Sequence, residues 1–212
     1  MYLKNLAVSI LPSIVLRWVR DKRTDLQDAQ NLRQYKISPF VPPPHSIKVK
    51  AVLDYAQRYK LQVLVETGTY AGDMVRKCGS YFREIYTIEL DSILAHEAEN
   101  KFRKKKHIHV VLGDSGDKLP DLLKKIDEPV LFWLDGHFSG GVTAKGSTIT
   151  PLAQELEAIS SHRIKEHVIL IDDARLLGKD DYPTENELTS MLYAINPNYT
   201  VNIKDDIVRC AL

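Results

Sequence analysis

Residues Leu61–Val75 read LQVLVETGTYAGDMV, an apolar run that ends in a carboxylate at Glu66 and is followed closely by Gly68 and Gly72. Leu61 to Thr67 has the continuous apolar character of a strand covered on both faces. The glycines behind it predict a tight turn into a helix. A strand that carries an acid to its tip, with glycines in the turn beyond, points to a ligand at that turn.

Outward from this stretch, the chain alternates regularly. SIKVKAVLDYAQRY (Ser46–Tyr59) precedes it as an amphipathic helix, and GDMVRKCGSYF (Gly72–Phe82) follows as another. Strands are expected at EIYTIELD (Glu84–Asp91), IHVVLGDS (Ile108–Ser115), PVLFWLDG (Pro129–Gly136) and HVILIDDA (His167–Ala174). Between them, helices are expected at Ile93–Lys106, at Lys118–Ile126 and at Thr150–Ile164, the last with Pro151 in its first turn. Strands separated by helices imply a parallel sheet covered on both faces. After a helix at Glu187–Ile195, YTVNIKDD (Tyr199–Asp206) and IVRCAL (Ile207–Leu212) read as an antiparallel hairpin.

A chain of 212 residues, 44% hydrophobic, can bury one sizeable core. Its formal net charge of +1 leaves no long basic face, so nucleic acid is not expected as a partner. Cys78 and Cys210 have no metal-ligand spacing and read as reduced core thiols of a cytoplasmic protein. At the N-terminus, LAVSILPSIVLRWVR (Leu6–Arg20) is interrupted by Pro12 and is too short to span a bilayer. RWVRDKRTD follows it where a signal peptide needs small residues for cleavage. Residues 1–45 are therefore expected to be an arm of one or two helices with a Pro-rich join, covering the active site or a second subunit of a homodimer. Peripheral membrane contact is the less favoured role. In SPFVPPPHS (Ser38–Ser46), Pro42, Pro43 and Pro44 exclude helix and mark the join to a core domain of residues 46–212.

Ligands of open α/β sheets collect at the C-terminal ends of the strands. Each expected parallel strand carries a carboxylate there: Glu66, then Glu89 with Asp91, Asp114, Asp135, and Asp172 with Asp173. Helix capping explains any one of them but is a poor account of the whole series.

Glu66-Thr67-Gly68-Thr69-Tyr70-Ala71-Gly72 lacks the G-x-G-x-x-G of a dinucleotide site, so a dehydrogenase would have to manage without its phosphate loop. The pattern of an acid, a glycine and a second glycine four residues on resembles the first motif of class I methyltransferases, which bind S-adenosylmethionine. The resemblance runs from about residue 46 to the end of the chain. It implies a Rossmann-like fold, with a mostly parallel seven-stranded sheet, helices on both faces and a C-terminal antiparallel hairpin. It also implies that Glu66, Thr67, Gly68, Thr69 and Gly72 take the amino-acid part of the cofactor, Glu89 the ribose hydroxyls, and Asp114 with Ser115 the adenine. The chemistry agrees: a carboxylate accepts from two adjacent hydroxyls or from an exocyclic amine.

With the strand order of that family, Asp135, Asp172 and Asp173 meet on neighbouring tips, where they repel unless protonated or bridged by a cation. Such oxygens suit magnesium, manganese or calcium. The arrangement looks like the metal site of catechol O-methyltransferase and, more closely in its paired acids, that of metal-dependent O-methyltransferases acting on sugar hydroxyls of natural products. The catechol enzymes carry a lysine three positions after the first metal acid; here that residue is Phe138. Asp135 itself or His137 is then expected to accept the proton of the hydroxyl substrate, with Lys145 the less favoured candidate, and the glycine-rich loop after His137 to cover the substrate. The expected function is methyl transfer from S-adenosylmethionine to a small-molecule or sugar hydroxyl with Mg2+ assistance. The alternatives are a metal-independent methyltransferase acting on nitrogen or a carboxylate, and a non-catalytic cofactor-binding scaffold.

Overall fold

The computed structural model describes residues 13–136 and 150–212. The chain divides into two compact units, Met1–Ile47 and Lys48–Leu212. In the first unit, α1 (Ser13–Ile37) is one uninterrupted helix over a stretch free of glycine and proline. Asp28, a buried residue, accepts a hydrogen bond from the backbone N–H of Ser46 at 3.1 Å. The backbone from Ser38 to Pro44 is non-helical, as the prolines require. Among the described residues, no helix is long and apolar enough to cross a membrane.

The second unit is built on a seven-stranded sheet, with β1 (Val63–Thr67), β2 (Glu84–Glu89), β3 (Ile108–Leu112), β4 (Leu131–Leu134), β5 (Val168–Ile171), β6 (Thr200–Lys204) and β7 (Ile207–Ala211) in the order β3-β2-β1-β4-β5-β7-β6. β1 to β5 pair in parallel, and β7 joins antiparallel to β5 and β6. The expected sheet and hairpin are thus present. The hairpin turns on Asp205 and Asp206, both left-handed at φ 54° and 60°, a conformation aspartate tolerates and two-residue hairpins use.

Side-chain alternation sends β-strand residues to two cores. Val65, Phe132, Leu134, Ile169 and Ile171 meet α5 (Ser115–Leu123), α6 (Leu152–Ser161) and α7 (Glu185–Ile195) on one face. Leu64, Leu131, Trp133, Val168 and Leu170 meet α2 (His45–Tyr59), α3 (Asp73–Cys78) and α4 (Ser92–Phe102) on the other. Every residue of β1, β4 and β5 is buried, which is why these strands read as unbroken apolar runs. Cys78 and Cys210 are free and buried, and burial pushes both thiols up to about 12.

Several helix ends differ from expectation: α5 stops at Leu123 and α6 spans only Leu152–Ser161, and three other ends have a visible cause. α3 stops at Cys78 rather than continuing to Phe82, because the Tyr81 N–H turns back to the Cys78 carbonyl and brings Phe82 into the core. α4 ends at Phe102, its last buried residue, and the exposed run Arg103–Lys106 leaves the helix. α5 begins three residues earlier than expected, at Ser115, because Asp114 caps it.

Candidate functional site

The turn after β1 lies against the end of β4. Gly68 has φ +81°, and a Cβ there would stand 2.3 Å from the Asp135 carbonyl oxygen. Gly72, at φ +68°, would bring a Cβ within 2.9 Å of the Phe102 ring. Both glycines therefore make room for the chain itself, and any substituted side chain would strain the turn.

Glu66 is only 2% exposed. Its Oε2 accepts from the Thr87 hydroxyl on β2, and Thr69 lies 2.5 Å from the same hydroxyl, so a Thr69–Thr87–Glu66 chain ties the turn to the sheet. Burial pushes the Glu66 carboxyl up to about 8, against the Thr87 hydrogen bond. Glu89 holds two loops at once, accepting from the N–H of Tyr70 at 2.7 Å and of Asp91 at 2.9 Å. Each of its oxygens retains capacity for a further donor.

Asp114 caps α5 through the Gly116 N–H at 2.9 Å. Ser115 turns inward and donates to Glu155 on α6 at 2.6 Å. Glu155 is a residue that sequence reasoning missed. It is fully buried and is hydrogen-bonded to both Ser115 and Thr67, and burial lifts its carboxyl to about 7. The Thr67 hydroxyl in turn accepts from the Asp135 N–H at 3.2 Å. One carboxyl thus joins the tips of β1 and β4 to the start of α5. The available signal was an acid on the core face of an amphipathic helix, between Leu152, Leu156 and Ile159.

Asp135, Asp172 and Asp173 come together as expected, each offering one carboxylate oxygen within 4.8 Å of the others. Asp172 Oδ1 accepts from the Asp173 N–H at 2.9 Å. Asp173 sits in the left-handed region, at φ 58°, and its Oδ1 accepts from Arg175 at 2.6 Å. Arg175 also bonds Asp206 of the hairpin turn, which accepts from the Ala174 and Arg175 N–H groups as well, fixing the segment after β5.

A second residue missed in the sequence, Lys48 of α2, reaches the same acids. Its Nζ donates to Asp172 Oδ2 and stands 3.5 Å from Asp173 Oδ1. Burial opposes the ammonium charge, but Asp172, Asp135 and Asp173 together hold Lys48 above the usual lysine range. Burial, then the neighbouring Asp135 charge, pushes the Asp172 carboxyl well up. Acids outnumber cations here, so both directions hold together. A narrow cleft beside the cluster is lined by Asp135, Thr150, Glu155, Asp172 and Tyr182. His137, Phe138 and Lys145 lie outside the described residues.

The strand tips thus gather Glu66, Thr67, Gly68, Thr69, Gly72 and Glu89 around the β1 and β2 ends, and the three aspartates around the β4 and β5 ends. Glu66, Thr69 and Ser115 meet protein partners through their side chains, whereas Glu89 and Asp114 are bonded to backbone N–H groups.

No known family's sequence profile matches the chain, and no curated protein matches it. Solved structures do. A methyltransferase of Podospora anserina, PaMTH1, bound to S-adenosylhomocysteine, aligns over 87% of this chain and 86% of its own, with a TM-score of 0.55 and 13% identity. The O-methyltransferase TomG of Streptomyces achromogenes, in complex with S-adenosylmethionine, aligns over 89% and 88%, with a TM-score of 0.52 and 14% identity. The N-methyltransferase NodS of Bradyrhizobium japonicum aligns over 79% and 93%, with a TM-score of 0.51 and 13% identity. From strand order, hairpin and these alignments, the chain has the Rossmann-like fold of class I S-adenosylmethionine-dependent methyltransferases.

Proposed function

We propose that this protein is an S-adenosylmethionine-dependent methyltransferase that acts on a hydroxyl of a small molecule or sugar, with a divalent cation held by Asp135, Asp172 and Asp173. The observation that carries the reading is the convergence of these three acids at the β4 and β5 tips, next to the turn expected to take the cofactor. The residues fit such an ion. Their donors are hard carboxylate oxygens, and the Lys48 ammonium lodged against two of them acts as a stand-in cation.

When bound, the ion supplies a Lewis acid that lowers the pKa of an acceptor hydroxyl, and the cofactor supplies a methyl group on a sulfonium. The chain's own residues do the positioning. Glu89 offers its remaining lone pairs to vicinal hydroxyls, and Asp114 offers a carboxylate to an amine. Glu155 holds the β1 and β4 tips in register through Thr67. Asp135 is the described residue suited to accept the hydroxyl proton, with His137 as the other candidate.

The test is methyl transfer from labelled S-adenosylmethionine to a panel of sugars, glycans and phenols, with and without chelator. Product that forms with added magnesium and disappears with chelator is the expected result. Glu89→Ala should weaken cofactor binding by about 1.5–3 kcal/mol, both by losing the ribose contacts and by releasing the Tyr70 backbone. Calorimetry with S-adenosylhomocysteine checks this, and unchanged affinity would remove Glu89 from the site.

A second reading draws on the Lys48 ion pairs. A buried ammonium already offsets part of the acidic charge, which favours a metal-independent methyltransferase using the same cofactor turn. Full activity in excess chelator would select it.

A further inference from the structure

The acids proposed to hold a divalent ion already hold a cation that belongs to the chain. Lys48 extends from α2, and its side chain, 15% exposed, is aimed into the cluster. Its ammonium bonds Asp172 Oδ2, whose other oxygen is committed to the Asp173 N–H, and lies 3.5 Å from Asp173 Oδ1. Arg175 approaches that same Asp173 oxygen at 2.6 Å.

A lysine ammonium is a compact point charge with three donors on a flexible stem. A divalent ion seeks the same carboxylate lone pairs, and the two cations repel. Arg175 is anchored on both sides, by Asp173 and by Asp206, whereas the contacts of Lys48 are to the acids of the cluster. Lys48 is therefore the cation able to leave.

We infer that Lys48 is a built-in competitor for the metal, so that loading a divalent ion requires its ammonium to withdraw from Asp172 and Asp173. The inference rests on the metal-assisted reading above. It adds that the unloaded site is neutralised from within, which keeps three neighbouring carboxylates tolerable in the absence of an ion. On loading, the stem swings its charge out of the cluster while α2 keeps its place. The withdrawn ammonium then becomes available to solvent.

The test measures Mn2+ binding to the full chain by electron paramagnetic resonance, for wild type, Lys48→Met and Lys48→Gln. Both substitutions remove the charge, and methionine keeps most of the stem. Removing the ammonium that the ion must otherwise displace should tighten Mn2+ binding by about tenfold or more in both variants. A second readout needs no variant: acetylation of wild-type Lys48, scored by mass spectrometry against the exposed Lys50, should rise by about threefold or more on saturation with Mg2+. Equal Mn2+ affinity in wild type and the variants, with Lys48 acetylation unmoved by Mg2+, overturns the competition and leaves the metal site standing. No Mn2+ binding to wild type or to either variant at millimolar ion overturns both. If the variants fail to fold, the acetylation result on wild type decides alone.

Discussion

Replacing Asp172 by asparagine is expected to lower turnover by about a hundredfold while leaving S-adenosylhomocysteine binding within about threefold of wild type. The substitution keeps size and one acceptor oxygen but removes the charge of the most enclosed member of the cluster, whose side chain is 1% exposed. The turn proposed to take the cofactor rests on Glu66, Thr87, Thr69 and Glu89 at the β1 and β2 tips, and none of these bonds passes through Asp172. An effect confined to turnover therefore separates a role in the reaction from a role in cofactor binding. Partial recovery at high magnesium is expected, since the two remaining acids can still hold an ion weakly. If the cluster serves only as an ion pair with Lys48, the variant should instead lose about 1–3 kcal/mol of stability and keep its activity. Thermal melts and steady-state rates on the same preparation distinguish these outcomes. A wild-type enzyme fully active in excess chelator would return Asp135 and His137 to consideration as a metal-free acid and base pair.

The parts of this site that could be read in the sequence are those that depend on local pattern. β1, β4 and β5 are short runs buried on both faces, bounded by acids and glycines, and such runs declare themselves as strands whatever lies around them. Their tips follow from their ends, so the convergence of Asp135 with Asp172 and Asp173 needed only a strand order, which the methyltransferase resemblance supplied. Lys48 could not be read this way. It meets Asp172 across 124 positions of sequence, and on α2 it looks like any polar residue of an amphipathic helix. Glu155 was closer to legible, because an acid between Leu152 and Leu156 on a core face requires a buried partner. The partners, Ser115 at the start of α5 and Thr67 at the end of β1, become visible only in three dimensions. The glycines carried a further ambiguity. Close approach at Gly68 was legible, but what approaches is the Asp135 carbonyl.

Glu66→Gln is expected to be more stable than wild type by about 2–4 kcal/mol at pH 9 and nearly equal to it below pH 4.5. Glu66 is buried at the β1 tip, and its carboxyl is pushed from the ordinary 4.5 up to about 8 by burial first, with the charges of Asp135, Glu89 and Asp73 adding to it. The folded protein therefore keeps a proton that the unfolded chain releases. A carboxyl raised on folding contributes stability that is fully present below about 4.5 and is lost as pH rises towards about 8. The whole of that displacement corresponds to about 5 kcal/mol, and water that reaches the ionised group returns part of it. Glutamine has no proton to lose, and its amide oxygen can accept from the Thr87 hydroxyl as the carboxyl does. The difference between the two unfolding free energies should thus grow from pH 4.5 to 8 and then level off, as read by urea titrations at each pH. An acid that costs stability where it ionises, at the turn proposed to take the cofactor, fits a trade of stability for activity. On the proposed reading, the positive charge of S-adenosylmethionine draws the proton off Glu66 as it binds. Wild-type affinity for the cofactor should then rise between pH 6 and 8 with release of a proton, measured by calorimetry in buffers of different ionisation enthalpy. The glutamine variant should bind more weakly and show no such release. Equal stability of the two proteins at pH 9 would mean that Glu66 ionises without cost and would remove this account of the acid at the tip of the first strand.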